Sequence, residues 1–263
     1  MQALIIAAGR GERFRPLTDK LPKPLIPLLG LRLIERVILS AKEAGVGEFV
    51  IVTGYMGWMI RDFLDDGSRY GVKIRYVESK RWRLGNGLSV YEARGTLSDR
   101  FILLMSDHIF NPEVLRGLMS CRLGENECIL CVDVGMKDVV DLEEATKVKV
   151  VGDRIVDIGK GLNEYNGVDM GIFLCSNAIF DALGRAIESG RYTLTDGVKE
   201  LVKKGRMRAY RIDDENAYWI DVDTPACLKT AENILRRYGI DLEKPLIDRL
   251  NLPQSIEDLD LAT

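Results

Sequence analysis

Short apolar runs alternate with segments of helical periodicity through the first half of the chain. Four runs have the length and content of buried strands: "ALIIA" at 3–7, "EFVIVTG" at 48–54, "VKIRYV" at 72–77 and "RFILLMSD" at 100–107. Helices are predicted between them at 32–44, 56–64 and 85–97. Strands and helices that alternate at this spacing are typical of a doubly wound, mainly parallel sheet.

The pattern becomes richer in strands after about residue 125. Strands are predicted at 127–134, 146–159 with a hairpin turn at Gly152-Asp153, 166–176 and 207–212. The segment "AYWIDVDT" at 217–224 leads into the last helix. Helices are predicted at 178–189, 194–204 and 225–238. Thr224 is expected to cap the last helix, with Pro225 at its first position. We therefore predict an α/β fold with a Rossmann-like mixed sheet and an added small β-rich part.

The length of 263 residues is compatible with one α/β domain. We place that domain at 1–240, in two halves at about 1–125 and about 126–240. The acidic segment 241–263 has no strong periodicity and is expected to be a C-terminal tail.

Composition indicates a soluble globular protein, with 46% apolar residues, 29% charged residues and a net charge of −3. This charge gives no reason to expect nucleic acid or an acidic membrane as a partner. The first apolar run is too short for a signal peptide or a membrane span, so a cytoplasmic location is expected. Cys128 and Cys131 form a CxxC, but they lie in an apolar run and are interpreted as strand positions rather than zinc ligands.

The first strand leads into the basic loop "AAGRGERFRPLTDKLPKPL". The loop lacks the G-x-x-x-x-G-K-[ST] of NTPases, and Phe14 replaces the third glycine of a dinucleotide fingerprint. We interpret it as a glycine turn whose backbone N–H groups close around phosphate, with Arg13 and Lys23 neutralising charge. Pro22 and Pro24 stiffen the loop around Lys23. The alternative is a surface loop whose cations are merely solvated.

The same loop resembles the LxAGxGxR…PKP signature of nucleotidyltransferases that make NDP-sugars. The strings "GNGLSVYEARGTLSDRFILLMSDHIF", "EEATKVKV", "DIGKGLNEYNGVDMGIF" and "YWIDVDT" resemble the CTP:inositol-1-phosphate cytidylyltransferases. In many archaea and thermophilic bacteria these enzymes supply CDP-inositol for di-myo-inositol phosphate synthesis. The resemblance runs from about residue 3 to 237, and it implies a nucleotide-binding half at about 1–125 and an acceptor-binding half at about 126–240. The family often carries a membrane-embedded phosphotransferase domain, and we expect this chain to be a stand-alone form.

The resemblance implies attack of a substrate phosphate on the α-phosphorus of CTP, which yields CDP-inositol and pyrophosphate. A phosphate monoester is mostly dianionic at neutral pH because its second pKa is about 6. The transfer is therefore expected to be direct and in line, without a protein nucleophile. The one histidine, His108, is expected to make a local hydrogen bond beside Asp107 rather than to act as a base.

Arg13 and Lys23 are the implied catalytic residues, which draw charge away as pyrophosphate leaves. Asp107 and Asp221 occupy the family's metal positions and are expected to hold Mg²⁺. Asp223 is either a helper or a cap of the last helix. The implied nucleotide-binding residues are Ala7, Ala8, Gly9, Gly11, Glu12, Arg13, Lys23, Gly85, Asn86, Gly87, Ser89, Ser106 and Asp107.

The implied acceptor-binding residues follow the change of pattern: Glu144, Thr146, Lys147, Lys160, Asp169 and Gly171. Lys147 or Lys160 would bind the acceptor phosphate, and Glu144 and Asp169 would accept hydrogen bonds from hydroxyls. Three positions depart from the family pattern. Leu84 replaces a frequent lysine, Ser106 replaces a glycine, and Met170 replaces a threonine.

Other functions remain open at the level of sequence. A sugar-1-phosphate nucleotidyltransferase that uses UTP or dTTP would have the same fold and metal site. A choline-phosphate cytidylyltransferase would need a cage for its quaternary ammonium, for which Tyr165 and Trp219 are candidates. A non-catalytic regulatory subunit is disfavoured because the sequence has all four of the residues Arg13, Lys23, Asp107 and Asp221. A homodimer is left open.

Overall fold

The computed structural model describes residues 1–136, 141–213 and 217–240. The strands are β1 (Gln2–Ala7), β2 (Pro27–Leu28), β3 (Leu31–Arg32), β4 (Glu48–Thr53), β5 (Lys73–Glu78), β6 (Arg100–Met105), β7 (His108–Phe110), β8 (Cys128–Asp133), β9 (Lys147–Val151), β10 (Arg154–Gly159), β11 (Gly167–Ser176), β12 (Met207–Ile212) and β13 (Trp219–Asp221). The helices are α1 (Leu33–Glu43), α2 (Gly57–Leu64), α3 (Asn86–Glu92), α4 (Pro112–Ser120), α5 (Ala178–Glu188), α6 (Leu194–Lys203) and α7 (Pro225–Arg237). The predicted tail at 241–263 lies outside the described residues.

The main sheet runs through both halves of the described chain, in the order β5-β4-β1-β6-β11-β8-β12-β10-β9. β5, β4, β1 and β6 are parallel to one another, and β11 is antiparallel to both β6 and β8. The predicted mixed α/β sheet is confirmed. β9 and β10 form the predicted hairpin within the same sheet, and β9 also pairs with β11, where Val148 lies opposite Gly167.

Two apolar clusters cover the two faces of this sheet. Alternate residues of β1 enter different clusters, because successive side chains of a strand point to opposite faces. Helices on both faces explain why the strand is apolar at every interior position. Cys131 belongs to one cluster and Cys128 to the other, and both thiols are free and buried. The CxxC is therefore a pair of strand positions, as predicted, since its two sulfurs cannot share a zinc ion.

Three elements were not predicted from the sequence: the β2–β3 hairpin, the β7–β13 ladder and helix α4. The ladder matters most for function. It is antiparallel and pairs His108 with Asp221 and Phe110 with Trp219. It thereby joins the segment after β6 to the segment before the last helix, although His108 and Asp221 are 113 positions apart in the sequence.

The caps and lengths of the helices agree with the sequence in most places. Thr224 accepts a hydrogen bond from the backbone N–H of Cys227 at 3.1 Å, so the predicted cap of α7 is confirmed. α3 is shorter than predicted, because it ends at Glu92 rather than near residue 97. No helix among the described residues is both long enough and apolar enough to cross a membrane.

Candidate active site

A buried ammonium group lies at the centre of the site. Lys23 follows the glycine loop, and its Nζ contacts Asp107 and lies 2.5 Å from Oδ1 of Asp223. The Lys23 side chain is only 9% exposed. Burial alone would lower the pKa of Lys23, but the charges of Asp107, Asp223 and Asp221 raise it above its ordinary value. The side chain is therefore a fixed positive charge at neutral pH.

Asp223 bridges the two implied catalytic cations. The guanidinium of Arg13 pairs with one carboxylate oxygen of Asp223, and Lys23 pairs with the other. Burial alone would raise the pKa of Asp223, but Lys23 and Arg13 hold it at about 2. The alternative that Asp223 caps the last helix is wrong, because Thr224 is the cap. The helper role stays a prediction.

The β7–β13 ladder brings the two predicted metal ligands together. One carboxylate oxygen from each of Asp107 and Asp221, with one ring nitrogen of His108, all lie within 4.8 Å of one another. The local hydrogen bond predicted for His108 goes to the Met170 carbonyl, 2.8 Å from Nδ1. Nε2 lies 3.4 Å from Oδ1 of Asp221 and 4.0 Å from Oδ1 of Asp107. Burial lowers the pKa of His108, but the two carboxylates raise it above its ordinary value.

The donor set fits a divalent cation. Oδ1 of Asp221 is buried and has no hydrogen-bond partner among the described residues. Burial raises the pKa of Asp221 to about 6. The nearby His108 acts to lower this pKa, and the charge of Asp107 acts to raise it. A cation held by Asp107 and Asp221 would supply the missing partner, and carboxylate oxygens are the ligands that Mg²⁺ prefers.

The glycines of "GNG" make room for another segment of backbone. A Cβ on Gly85 would lie 2.5 Å from the carbonyl oxygen of Tyr192, and one on Gly87 would lie 2.5 Å from that of Thr193. Asn86 accepts a hydrogen bond from the N–H of Leu194 at 2.8 Å, and it also lines an open pocket. These residues join α3 to the start of α6, and their contacts with a nucleotide stay a prediction.

Ser89 is one of the predicted nucleotide-binding residues that are buried. It is 1% exposed, and its hydroxyl lies 3.1 Å from that of Ser79. Ser106 is also buried, and its N–H donates to the carbonyl of Ile6. Glu12 is exposed and pairs with Arg10. The binding roles of these residues are untested predictions.

Two glycines of the basic loop differ in whether the fold requires glycine at their position. Ala7 and Ala8 are buried where β1 ends. A Cβ on Gly9 would meet nothing within 4 Å, whereas Gly11 has φ +71° and a Cβ there would lie 2.7 Å from Cβ of Lys23. Gly11 is therefore required by the fold, and Gly9 is not.

This difference predicts separable effects of two alanine substitutions. Gly9→Ala should change the free energy of unfolding by less than about 0.5 kcal/mol. It should raise KM for the nucleotide about tenfold, because a methyl group would obstruct backbone closure on phosphate. Gly11→Ala should cost about 1–2 kcal/mol of stability through its left-handed backbone alone. Urea unfolding and steady-state kinetics measure both; an unchanged nucleotide KM for Gly9→Ala would contradict the phosphate loop.

An open pocket unites residues that are distant in the sequence. The predicted residues that line it are Arg13, Asn86, Glu144, Thr146, Lys160, Asp169, Gly171 and Asp221. Sequence reasoning missed several residues that line this pocket, among them Asp141, Thr195 and Trp219. Trp219 was named only as part of a choline cage. Its indole N–H donates to Asp133 at 2.9 Å, which fixes the ring beside the pocket.

The two candidate acceptor lysines have different surroundings. Nζ of Lys160 lies 3.0 Å from Oε2 of Glu144, and both side chains are more than half exposed at the pocket. Nζ of Lys147 instead donates to the carbonyls of Lys160 and Glu143, at 2.9 and 3.2 Å. Lys147 therefore connects two segments of the pocket wall and is absent from the described lining.

Asp169 is the most deeply buried acidic group of the acceptor set. Its Oδ1 accepts a hydrogen bond from the N–H of Gly171 at 2.7 Å. Burial raises the pKa of Asp169 to about 6, although the Gly171 N–H acts in the opposite direction. The N–H of Asp169 also donates to the carbonyl of Thr146, so β11 holds the 144–146 segment in place.

These features define a nucleotidyltransferase. The nucleotidyl transferase family profile matches residues 2–237, and the chain belongs to this family. It is 36% identical over 234 residues to the bifunctional IPC transferase and DIPP synthase of Rubrobacter xylanophilus (strain DSM 9941 / JCM 11954 / NBRC 16129 / PRD-1), covering 89% of this chain and 51% of the relative. The chain thus spans about half the length of the curated relatives it matches.

Two solved structures are similar to this one. The inositol-1-phosphate CTP transferase from T. maritima aligns with a TM-score of 0.74 and 28% identity, over 89% of this chain and 96% of the other. A putative glucose-1-phosphate thymidylyltransferase from Bacillus anthracis aligns with a TM-score of 0.76 over 90% and 95%, but at 21% identity it shows the fold alone. The resemblance to inositol-1-phosphate cytidylyltransferases is thus confirmed as a similarity.

Proposed function

We propose that the protein transfers a cytidylyl group from CTP to inositol 1-phosphate and releases pyrophosphate. The product, CDP-inositol, would serve di-myo-inositol phosphate or inositol phospholipid-type synthesis. The observation that carries the proposal is the pocket, which joins the Arg13 and Asp221 side to the Glu144, Lys160 and Asp169 side. The relative from Rubrobacter xylanophilus and the T. maritima structure support the choice of substrates.

The cations at the nucleotide end are arranged for departure of an anionic leaving group. Lys23 is buried and charged, so it offers a fixed ammonium without reorganisation. Arg13 is 43% exposed and paired with Asp223, so it can exchange that carboxylate for a phosphate. A Mg²⁺ ion on Asp107 and Asp221 would supply charge neutralisation at the phosphates.

The acceptor needs no general base in this proposal. An inositol 1-phosphate dianion already carries the attacking oxygen in its reactive form. His108 is unsuited to remove a proton, because its ring nitrogens face the Met170 carbonyl and the carboxylates of Asp107 and Asp221. The protein's contribution is to hold the two anionic substrates in line.

The acceptor end offers carboxylates for hydroxyl groups and one ammonium for phosphate. Asp169 is fixed by the N–H of Gly171, Glu144 is held by Lys160, and both carboxylates line the pocket, where they can accept hydrogen bonds from hydroxyl groups. Lys160 can turn from Glu144 to the acceptor phosphate because both are exposed. We therefore choose Lys160 over Lys147 as the acceptor-phosphate ligand.

Lys160→Met should weaken binding of the acceptor substrate and leave binding of the nucleotide unchanged. A charged hydrogen bond contributes about 1.5–3 kcal/mol, so KM for inositol 1-phosphate should rise at least tenfold. KM for CTP should stay within about twofold, because the charges at that end are untouched. Lys149→Met is the matched control, since its ammonium pairs with Glu164 outside the pocket lining. Equal effects of the two substitutions would contradict the assignment.

A substrate panel tests the proposed function. Pyrophosphate release is measured with Mg²⁺ for CTP with inositol 1-phosphate, UTP or dTTP with glucose 1-phosphate, and CTP with choline phosphate. The inositol pair should react at least about 100-fold more efficiently, which equals about 2.7 kcal/mol of discrimination. Preference for a glucose pair would replace this proposal by a sugar nucleotidyltransferase. Turnover with no pair would favour a regulatory subunit.

A further inference from the structure

The ring of His108 is held in one orientation by its surroundings. A carbonyl oxygen can only accept a hydrogen bond, so Nδ1 carries a proton and donates it to Met170 at 2.8 Å. A Cβ on Gly171 would lie 2.4 Å from Nδ1, so glycine is required for the ring to fit. The Trp219 ring lies on another side, with 5.9 Å between centroids. Nε2 is consequently aimed away from Met170.

Nε2 faces the two carboxylates at distances that suit a shared ion. It lies 3.4 Å from Oδ1 of Asp221 and 4.0 Å from Oδ1 of Asp107. Two donors that each lie about 2.1 Å from one ion are at most about 4.2 Å apart. Oδ1 of Asp221, the nearer oxygen, has no hydrogen-bond partner among the described residues. Nε2 and this oxygen therefore face each other without a hydrogen bond.

We propose that Nε2 of His108 is a third protein ligand of the divalent cation held by Asp107 and Asp221. Metal-binding histidines usually donate their other ring N–H to a carbonyl or carboxylate, which is the arrangement that Met170 provides. A nitrogen donor favours Mn²⁺ and Co²⁺ over Mg²⁺, which prefers oxygen ligands. The site is thus built to bind Mn²⁺ more tightly than Mg²⁺. This inference does not depend on which nucleotide or acceptor the protein uses.

The single histidine of the chain makes the ligand directly identifiable. Untagged protein is prepared in two forms, with natural and with ¹⁵N-labelled histidine, and each receives less than one equivalent of Mn²⁺ without nucleotide. Pulsed electron paramagnetic resonance then detects nitrogen coupled to the bound metal. We expect a ¹⁴N coupling that changes to a ¹⁵N coupling on labelling. Bound Mn²⁺ without a histidine coupling, or no bound Mn²⁺, would overturn the proposal.

A substitution separates ligation from a merely structural role. His108→Gln should lower the affinity for Mn²⁺ at least about tenfold, and should lower the affinity for Mg²⁺ much less. Calorimetric titration with each metal alone measures both values, after circular dichroism has shown a native fold. Equal losses for the two metals would mean that His108 only positions Asp221. If the variant fails to fold, the labelling experiment on the unaltered sequence still tests whether His108 is a metal ligand.

Discussion

Replacing Lys23 by methionine is expected to lower kcat about 10²–10³-fold, the loss seen when one fixed stabilising donor is removed from a site. Methionine keeps the length and apolar packing of the lysine stem and removes its charge. Steady-state kinetics at saturating CTP, inositol 1-phosphate and Mg²⁺ measure the effect. Lys20→Met is the matched control, because Lys20 is an exposed lysine of the same loop. A kcat within tenfold of the unaltered protein would contradict the role of Lys23.

The same substitution should also destabilise the metal-free protein. Lys23 is buried between Asp107 and Asp223, with Asp221 close by, so its removal leaves carboxylates without their counter-ion. Breaking a buried pair in this way costs about 3–5 kcal/mol. From the sequence alone Lys23 is a loop residue, and its loss would be expected to leave stability unchanged. Urea unfolding without metal distinguishes the two expectations.

A double variant separates the stability effect from the catalytic one. Asp223→Asn added to Lys23→Met removes one of the carboxylates that lost its partner. The double variant should therefore regain at least about 1 kcal/mol of the lost stability. It should regain no turnover, because the ammonium is still absent. Recovery of both properties would show that Lys23 acts only on the fold.

Asp221→Asn should abolish most activity and leave the fold intact. The substitution removes a proposed metal ligand, so kcat should fall at least about 10²-fold and the apparent affinity for Mg²⁺ should fall with it. Stability without metal should stay equal or rise, because burial raises the pKa of Asp221 and one of its oxygens has no hydrogen-bond partner among the described residues. Activity is titrated against Mg²⁺, and thermal unfolding is followed in parallel.

Asp62→Asn is the control for this experiment, since Asp62 is an exposed aspartate on α2. It should change neither activity nor stability by more than about 0.5 kcal/mol. A large loss of stability in Asp221→Asn would identify Asp221 as a structural residue. Full activity in that variant would remove it from the metal site.

The strands of the main sheet could be predicted because their signal is local. β1, β4 and β6 are continuous apolar runs, which is what burial on both faces requires. α4 also carries a local signal that was missed: Asn111 caps it, Pro112 is its first residue and Glu113 lies in its first turn. The β7–β13 ladder has three residues per strand, too few for a period to be detected.

The residues of the candidate site also divide into those with a local sequence signal and those that only the fold brings together. Arg13, Lys23 and Asp107 stand out through their spacing and their neighbours in the sequence. The pairing of Lys23 with Asp223 depends on how distant segments meet, and only the fold shows it. Gly171 was assigned to the acceptor, yet its lack of a side chain makes room for His108. Lys147 and Lys160 are both lysines that the sequence predicts equally well as ligands of the acceptor phosphate, and only their contacts distinguish them.

Phosphorus nuclear magnetic resonance of the reaction mixture tests the central claim most directly. The protein is incubated with Mg²⁺, CTP and inositol 1-phosphate, and the Lys23→Met variant is treated in the same way. The account predicts that the inositol 1-phosphate signal disappears while CDP-inositol and pyrophosphate form in equal amounts, and that the variant forms neither at a comparable rate. An inositol 1-phosphate signal that persists while the protein releases pyrophosphate from CTP, or consumes another acceptor, would contradict it.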